Sequence, residues 1–113
     1  MPAYFVYVCQ EVIDRAELET HWTKIGATLE GYHSESLGSY TPFEQHDCDA
    51  VGGVAVVRFP SMDTARAWYE GPAYRAICHH RQNGARYIGL LVEAGSPPVD
   101  LRMPHTKGRR PVR

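Results

Sequence analysis

The sequence has no paired cysteine spacing and no long apolar run. Its three cysteines, Cys9, Cys48 and Cys78, form an odd set without Cys-x-x-Cys spacing. They therefore point to reduced thiols rather than a disulfide framework, and to a cytoplasmic chain. No apolar stretch approaches ~18 residues, so no membrane-spanning helix is expected. A strand-like run begins almost at Met1 with no basic segment before it, which argues against a secretory leader. Phosphate-cradling glycine loops, dinucleotide fingerprints, Gly-x-Ser-x-Gly elbows and metal-binding His-x-x-x-His pairs are also missing. Chemistry built on those motifs is not expected, nor is any cofactor or metal.

Positive charge is scarce where a fold would be. Residues 1–94 carry 7 Lys/Arg against 12 Asp/Glu, whereas residues 95–113 carry 5 against 1. An acidic body is a poor nucleic-acid binder. The basic end, "GSPPVDLRMPHTKGRRPVR", has four prolines and no aromatic residue between its charges. It reads as a flexible tail, or an arm lying on a partner subunit, rather than a nucleic-acid site. The expected division is one domain over residues 1–95 and a tail over 96–113. With 43% hydrophobic and 22% charged residues in 113, the chain has the composition of one soluble globular domain.

What is present is a regular alternation of elements. "AYFVYVCQEV" is rich in β-branched and aromatic residues and predicts a strand. Asp14 then caps a helix, with Leu18, Trp22, Ile25 and Leu29 as its apolar stripe and Gly31 as its stop. "YHSESLGSY" alternates as a strand does, "TPFEQHDCDAVGG" reads as a loop, and "VAVVRF" as a strand. Ser61 caps a second helix that packs Ala65, Trp68 and Tyr69, interrupted at Gly71-Pro72. Beyond it, Tyr74, Ile77, Cys78 and Arg81 share a face, and "ARYIGLLVEA" is the last strand. The order βαββαβ is that of an α+β ferredoxin-like sandwich with a four-stranded antiparallel sheet. Its first, third and fourth strands are apolar on both faces. Two helices cover only one face, so the other calls for a second copy of the chain, making a homodimer.

Phe59-Pro60-Ser61, Ala65, Ala67-Trp68-Tyr69, Tyr74 and Arg81, with "MPAYFVYV" and Asp14 at the start, resemble the family called domain of unknown function 1330. The resemblance spans about residues 1–95. It implies a protomer of the dimeric α/β-barrel superfamily, which includes cofactor-independent monooxygenases, muconolactone-isomerase-like enzymes, haem-dependent members and stress proteins. It thus implies a fold and a pocket rather than one reaction. The sequence departs from the family where chemistry would sit. His33-Ser34-Glu35 replaces a usual Gly-Gly-Arg, and Phe43-Glu44-Gln45 replaces Leu-Glu-Gly.

Several residues are candidates for that chemistry. His33 and Glu35, two apart on a strand, would share a face and form a general base with its orienting carboxylate. A polar strand edge in solvent is the plain alternative. Arg81, inward-facing, needs an anion, either an internal carboxylate or a ligand's. Tyr4, Trp22, Tyr40, Glu44, Trp68 and Tyr74 are candidates for the wall of a small-molecule site. His46 and Cys48 stand too close together to form half a zinc site. The resulting expectation is a cofactor-independent isomerase, cyclase or monooxygenase-like enzyme acting on an apolar, enolisable polyketide-like or aromatic substrate. The alternatives are a non-catalytic ligand-binding or stress-associated dimer, and a haem-binding protein using His21, His79 or His80.

Overall fold

The computed structural model describes residues 1–95; the expected tail, 96–113, lies outside the described residues. The chain forms β1 (Ala3–Val12), α1 (Arg15–Thr28), β2 (Glu35–Ser39), β3 (Gly53–Phe59), α2 (Met62–Glu70), α3 (Pro72–Arg75), α4 (Cys78–Gly84) and β4 (Ala85–Glu93). The strands form one four-stranded sheet in the order β2-β3-β1-β4, and every neighbouring pair is antiparallel. This is the ferredoxin-like α+β arrangement, with the helices on one side of the sheet.

Local chemistry sets the helix ends. Asp14 Oδ1 accepts the backbone N–H groups of Ala16 at 3.1 Å and Glu17 at 3.4 Å, satisfying donors that a helix start leaves unpaired. Ser61 Oγ accepts Thr64 N–H at 3.1 Å in the same way. Pro72 opens α3 at a position where a missing N–H costs nothing. Gly84 ends α4 against α1, where an added Cβ would lie 2.8 Å from Leu18 Cγ. That contact lets the two helices cross closely.

Alternation along β1 separates the faces. Ala3, Phe5, Tyr7 and Cys9 are buried beneath the helices. Phe5 and Phe59 meet Trp68 there, and Trp68 and Tyr74 lie 4.4 Å apart between ring centroids. On the other face Tyr4, Val6 and Val8 stand opposite Arg58, Val56 and Val54 of β3, and opposite Val92, Leu90 and Ile88 of β4. This face is open, with Leu90 56% and Val92 51% exposed.

Two expectations are corrected. The strand expected across "YHSESLGSY" covers only Glu35–Ser39, with a register shift between Ser36 and Gly38. The residues before it form a turn in which His33 has φ 55°, a left-handed conformation that breaks strand alternation. The buried stripe of α1 is Leu18, His21 and Thr28, with Trp22, Ile25 and Leu29 only half-buried. Thr28 is tolerated inside because its hydroxyl accepts Trp68 Nε1–H at 3.0 Å and donates to Ile25 O at 2.6 Å.

Candidate ligand cavity

A cavity of about 240 Å³ opens between the sheet and the helices. β1 contributes Tyr7 to it, β3 contributes Ala55 and Val57, and α1 contributes His21, Trp22 and Ile25. Tyr40 closes it from the end of β2, while Tyr74 and Arg81 reach it from α3 and α4. Tyr7 is present because odd-numbered residues of β1 face the helices. Tyr74 and Arg81 are present because the break at Gly71-Pro72 turns the chain back across the sheet.

Three of these side chains form a connected group. Arg81 Nε donates to Tyr74 Oη at 3.0 Å, and Tyr74 Oη lies 3.2 Å from His21 Nε2. Burial, reinforced by the nearby Arg81 charge, pushes the His21 imidazole down to about 4, so it is neutral near pH 7. Burial pushes the Tyr7 and Tyr74 phenols up, so both remain protonated. Burial acts against the Arg81 charge, but the Tyr74 and Tyr7 oxygens outweigh it and the pKa is raised. The group is complete when Tyr74, accepting from Arg81, donates its own O–H to His21 Nε2; the imidazole proton then sits on Nδ1.

The cavity leaves polar capacity unused. Among the described residues no carboxylate forms a salt bridge with Arg81. Its guanidinium carbon instead lies 5.4 Å from the ring centroids of Tyr7 and Tyr87. Tyr7 Oη, His21 Nδ1 and Trp22 Nε1 are buried without a hydrogen-bond partner among the described residues, and all three residues line this cavity. Buried polar atoms without partners are costly and uncommon, and these three gather around one hollow, where water or a ligand could satisfy them.

A family model described as Domain of unknown function (DUF1330) matches residues 2–95. The chain belongs to this family. No curated protein matches the DUF1330 chain. Solved structures that share its fold include a protein of unknown function from Rhodopseudomonas palustris, at 13% identity and TM-score 0.65, covering 85% of this chain and 84% of that one. SnoaB from Streptomyces nogalater, a cofactor-independent oxygenase, aligns at 16% identity and TM-score 0.59 over 91% and 97% of the two chains. A dimeric ferredoxin-like protein of unknown function from Thermobifida fusca aligns at 11% identity and TM-score 0.58 over 83% and 92%.

Within the DUF1330 chain, the structure brings together Arg81, Tyr74, Trp22 and Tyr40 of the residues expected from sequence. The others stand elsewhere. Trp68 lies behind the wall in the aromatic core at 1% exposure, and Tyr4 faces the opposite side of the sheet. Glu44 is exposed in the loop after β2, 3.1 Å from His46 Nε2. It borders a separate hollow with Val8 and Ile88, which belong to the open face.

The expected His33–Glu35 pair is corrected. His33 is exposed in the turn before β2, and Glu35 stands opposite Arg58 on the open face at 3.9 Å. Neither lines the cavity, because the left-handed turn at His33 removes the strand geometry that would align them. Among the described residues no three His, Cys, Asp or Glu side chains gather as a metal-ligand set. His79 is exposed, His80 Nδ1 is 2.8 Å from Glu17, and neither lines the cavity. His21, named from the sequence only under the haem-binding alternative, lines the cavity and is the missed member of the site. Its signal is the spacing three after Leu18 and four before Ile25, which places it in the buried stripe.

Proposed function

We propose that this protein binds a small, mostly apolar carboxylate or enolisable carbonyl compound in the cavity, and moves a proton on it without a cofactor. The observation that carries this reading is Arg81, a half-buried guanidinium with no carboxylate partner among the described residues. A half-buried cation held by a hydroxyl and aromatic rings alone is a favourable site for an anion, and a ligand's oxyanion supplies one. The surrounding rings provide the apolar contact area of a small-molecule site.

Proton transfer follows from the Tyr74–His21 contact. When a C–H bond beside the ligand carbonyl breaks, its electron pair moves to the carbonyl oxygen, and the resulting enolate pairs with Arg81. The proton passes to Tyr74 Oη as the Tyr74 proton passes to His21 Nε2. Return of the proton to the same or another carbon restores Tyr74 and neutral His21. The burial that keeps His21 neutral disfavours its cationic form, so His21 holds the proton only transiently and returns it. Isomerase, cyclase and cofactor-independent oxygenase chemistry all start from such an enolate. SnoaB, a cofactor-independent oxygenase of similar fold, supports including the last of these.

The assembly that fits this reading is a homodimer joined through the open sheet face. The exposed Leu90 and Val92, beside Val6 and Val56, are then covered. The dimeric state of the Thermobifida fusca protein supports it.

Phenylpyruvate in deuterated water tests the chemistry, since it offers an aromatic ring, a carboxylate and an enolisable methylene. The wild type should accelerate exchange at that methylene, followed by NMR, and His21→Gln and Tyr74→Phe should each slow it by about 100-fold or more. Arg81→Met should weaken binding measured by calorimetry by at least about tenfold. Binding without exchange would establish the non-catalytic alternative. Equal binding by wild type and Arg81→Met would overturn the site.

A further inference from the structure

A second hollow, of about 310 Å³, lies beside the cavity and is bordered by Cys9, Val12, Arg15, Trp22, Tyr40 and Gly52. Trp22 and Tyr40 line both hollows, and their ring centroids are 5.2 Å apart. The wall between the two spaces is therefore built from these two aromatic rings.

Tyr40 is held in that wall at a conformational cost. Its φ of 58° is one of two positive values at non-glycine residues among the described residues, a region that L-residues with a ring enter unfavourably. Three contacts fix it there. Its backbone N–H donates to Val54 O at 2.9 Å. Its hydroxyl lies 2.6 Å from Tyr87 Oη. Its ring packs close to Gly53, where an added Cβ would come 2.6 Å from Tyr40 Cδ1. Glycine at position 53 and backbone strain at position 40 serve the same end, which is to keep a phenol ring at this boundary.

We infer that Tyr40 is the specificity-determining residue of the cavity: its ring is a partition that limits the ligand to short acids, and the neighbouring hollow is a blocked subsite for an apolar tail. This rests on the reading of Arg81 as the anion's partner. An acid anchored at Arg81 with its chain directed toward Trp22 meets the Tyr40 ring after a short distance. Without the ring, the same chain continues past Trp22 toward Cys9 and Val12, which offer it an apolar bed beside Arg15.

Straight-chain alkanoates measure this directly, because they keep the carboxylate constant while the tail grows. Butyrate, octanoate and laurate would be titrated calorimetrically into wild type, Tyr40→Ala, Tyr40→Phe and Arg81→Met, each first shown to melt cooperatively. Wild type should prefer butyrate to laurate. Tyr40→Ala should reverse the order, with laurate gaining about tenfold or more. Tyr40→Phe should keep the wild-type order, since the ring and not the hydroxyl forms the wall. A wild type that binds laurate as well as butyrate, or a Tyr40→Ala protein with unchanged chain-length order, would overturn the partition while Arg81 stands. Loss of all alkanoate binding in Arg81→Met supports the anchor. Failure of every alkanoate to bind either wild type or Tyr40→Ala would overturn the anchor, and the partition with it.

Discussion

The two faces of β1 differ in kind although they share one backbone. Phe5 and Tyr7, at 7% and 6% exposure, look toward the helices among aromatic rings, with a guanidinium, an imidazole and hydroxyls placed between them. Tyr4, Val6 and Val8 look the other way, onto a field of Val, Ile and Leu whose polar members sit at the edge, as the Arg58–Glu35 pair does. The helix-side face combines apolar area with directional groups, which is what selects a guest. The open face has area and little direction, which suits association with a flat copy of itself. On the proposed reading, residue type along a single strand separates a recognition surface from an association surface.

The strongest way to break this contrast is to charge the open face. Val6→Asp should abolish the dimer, lowering the mass by light scattering from about twice 12.7 kDa to 12.7 kDa. A variant that stays dimeric would place the interface elsewhere. On the helix side, Trp68→Ala should cost about 3–5 kcal/mol in denaturant unfolding, because it opens a void in the core and removes one of the two hydrogen bonds of the Thr28 hydroxyl. A loss below about 1 kcal/mol would mean that the aromatic cluster is not the centre of stability.

A subtler difference concerns acid. His21 has a folded-state value lowered to about 4 from 6.5, so the folded protein binds fewer protons than the unfolded chain between those values. Its contribution to stability is therefore complete above about pH 6.5 and lost as the pH falls toward 4. His21→Leu should have a shallower fall in melting temperature across this range than the wild type. Parallel curves would show that His21 is not held neutral. The smallest effect is expected at the open face's exposed ion pair: Glu35→Gln should change stability by no more than about 0.5 kcal/mol and leave phenylpyruvate exchange unaltered. A clear loss of exchange would return Glu35 to the site.

Much of the architecture was legible in the sequence because the relevant signals are local. Alternation specifies β1 and β3, Asp14 and Ser61 cap the helices through side chains of their own, and Gly71-Pro72 breaks the second helical stretch where the chain turns. β2 was harder. "YHSESLGSY" is polar enough to satisfy a turn as readily as a strand, and nothing local announces the left-handed His33. The site divides similarly. Arg81 and Tyr74 are seven residues apart and were recognisable as one inward face. His21 owes its importance to a tyrosine 53 residues away, and only the folded chain brings that partner to it.

The placement of the two tryptophans has a spectroscopic consequence. Trp68 is sealed in the core with its indole N–H bonded to Thr28, whereas Trp22 lines the cavity with its indole N–H unpartnered. Their fluorescence should therefore report different events. If the proposed guest enters the cavity, Trp22 emission should respond to it, and Trp68 emission should respond to global unfolding. Trp22→Phe leaves a chain whose single indole should follow folding, and Trp68→Phe leaves one whose single indole should follow occupancy under the proposed reading, giving separate optical readouts of loading and of integrity without any attached dye.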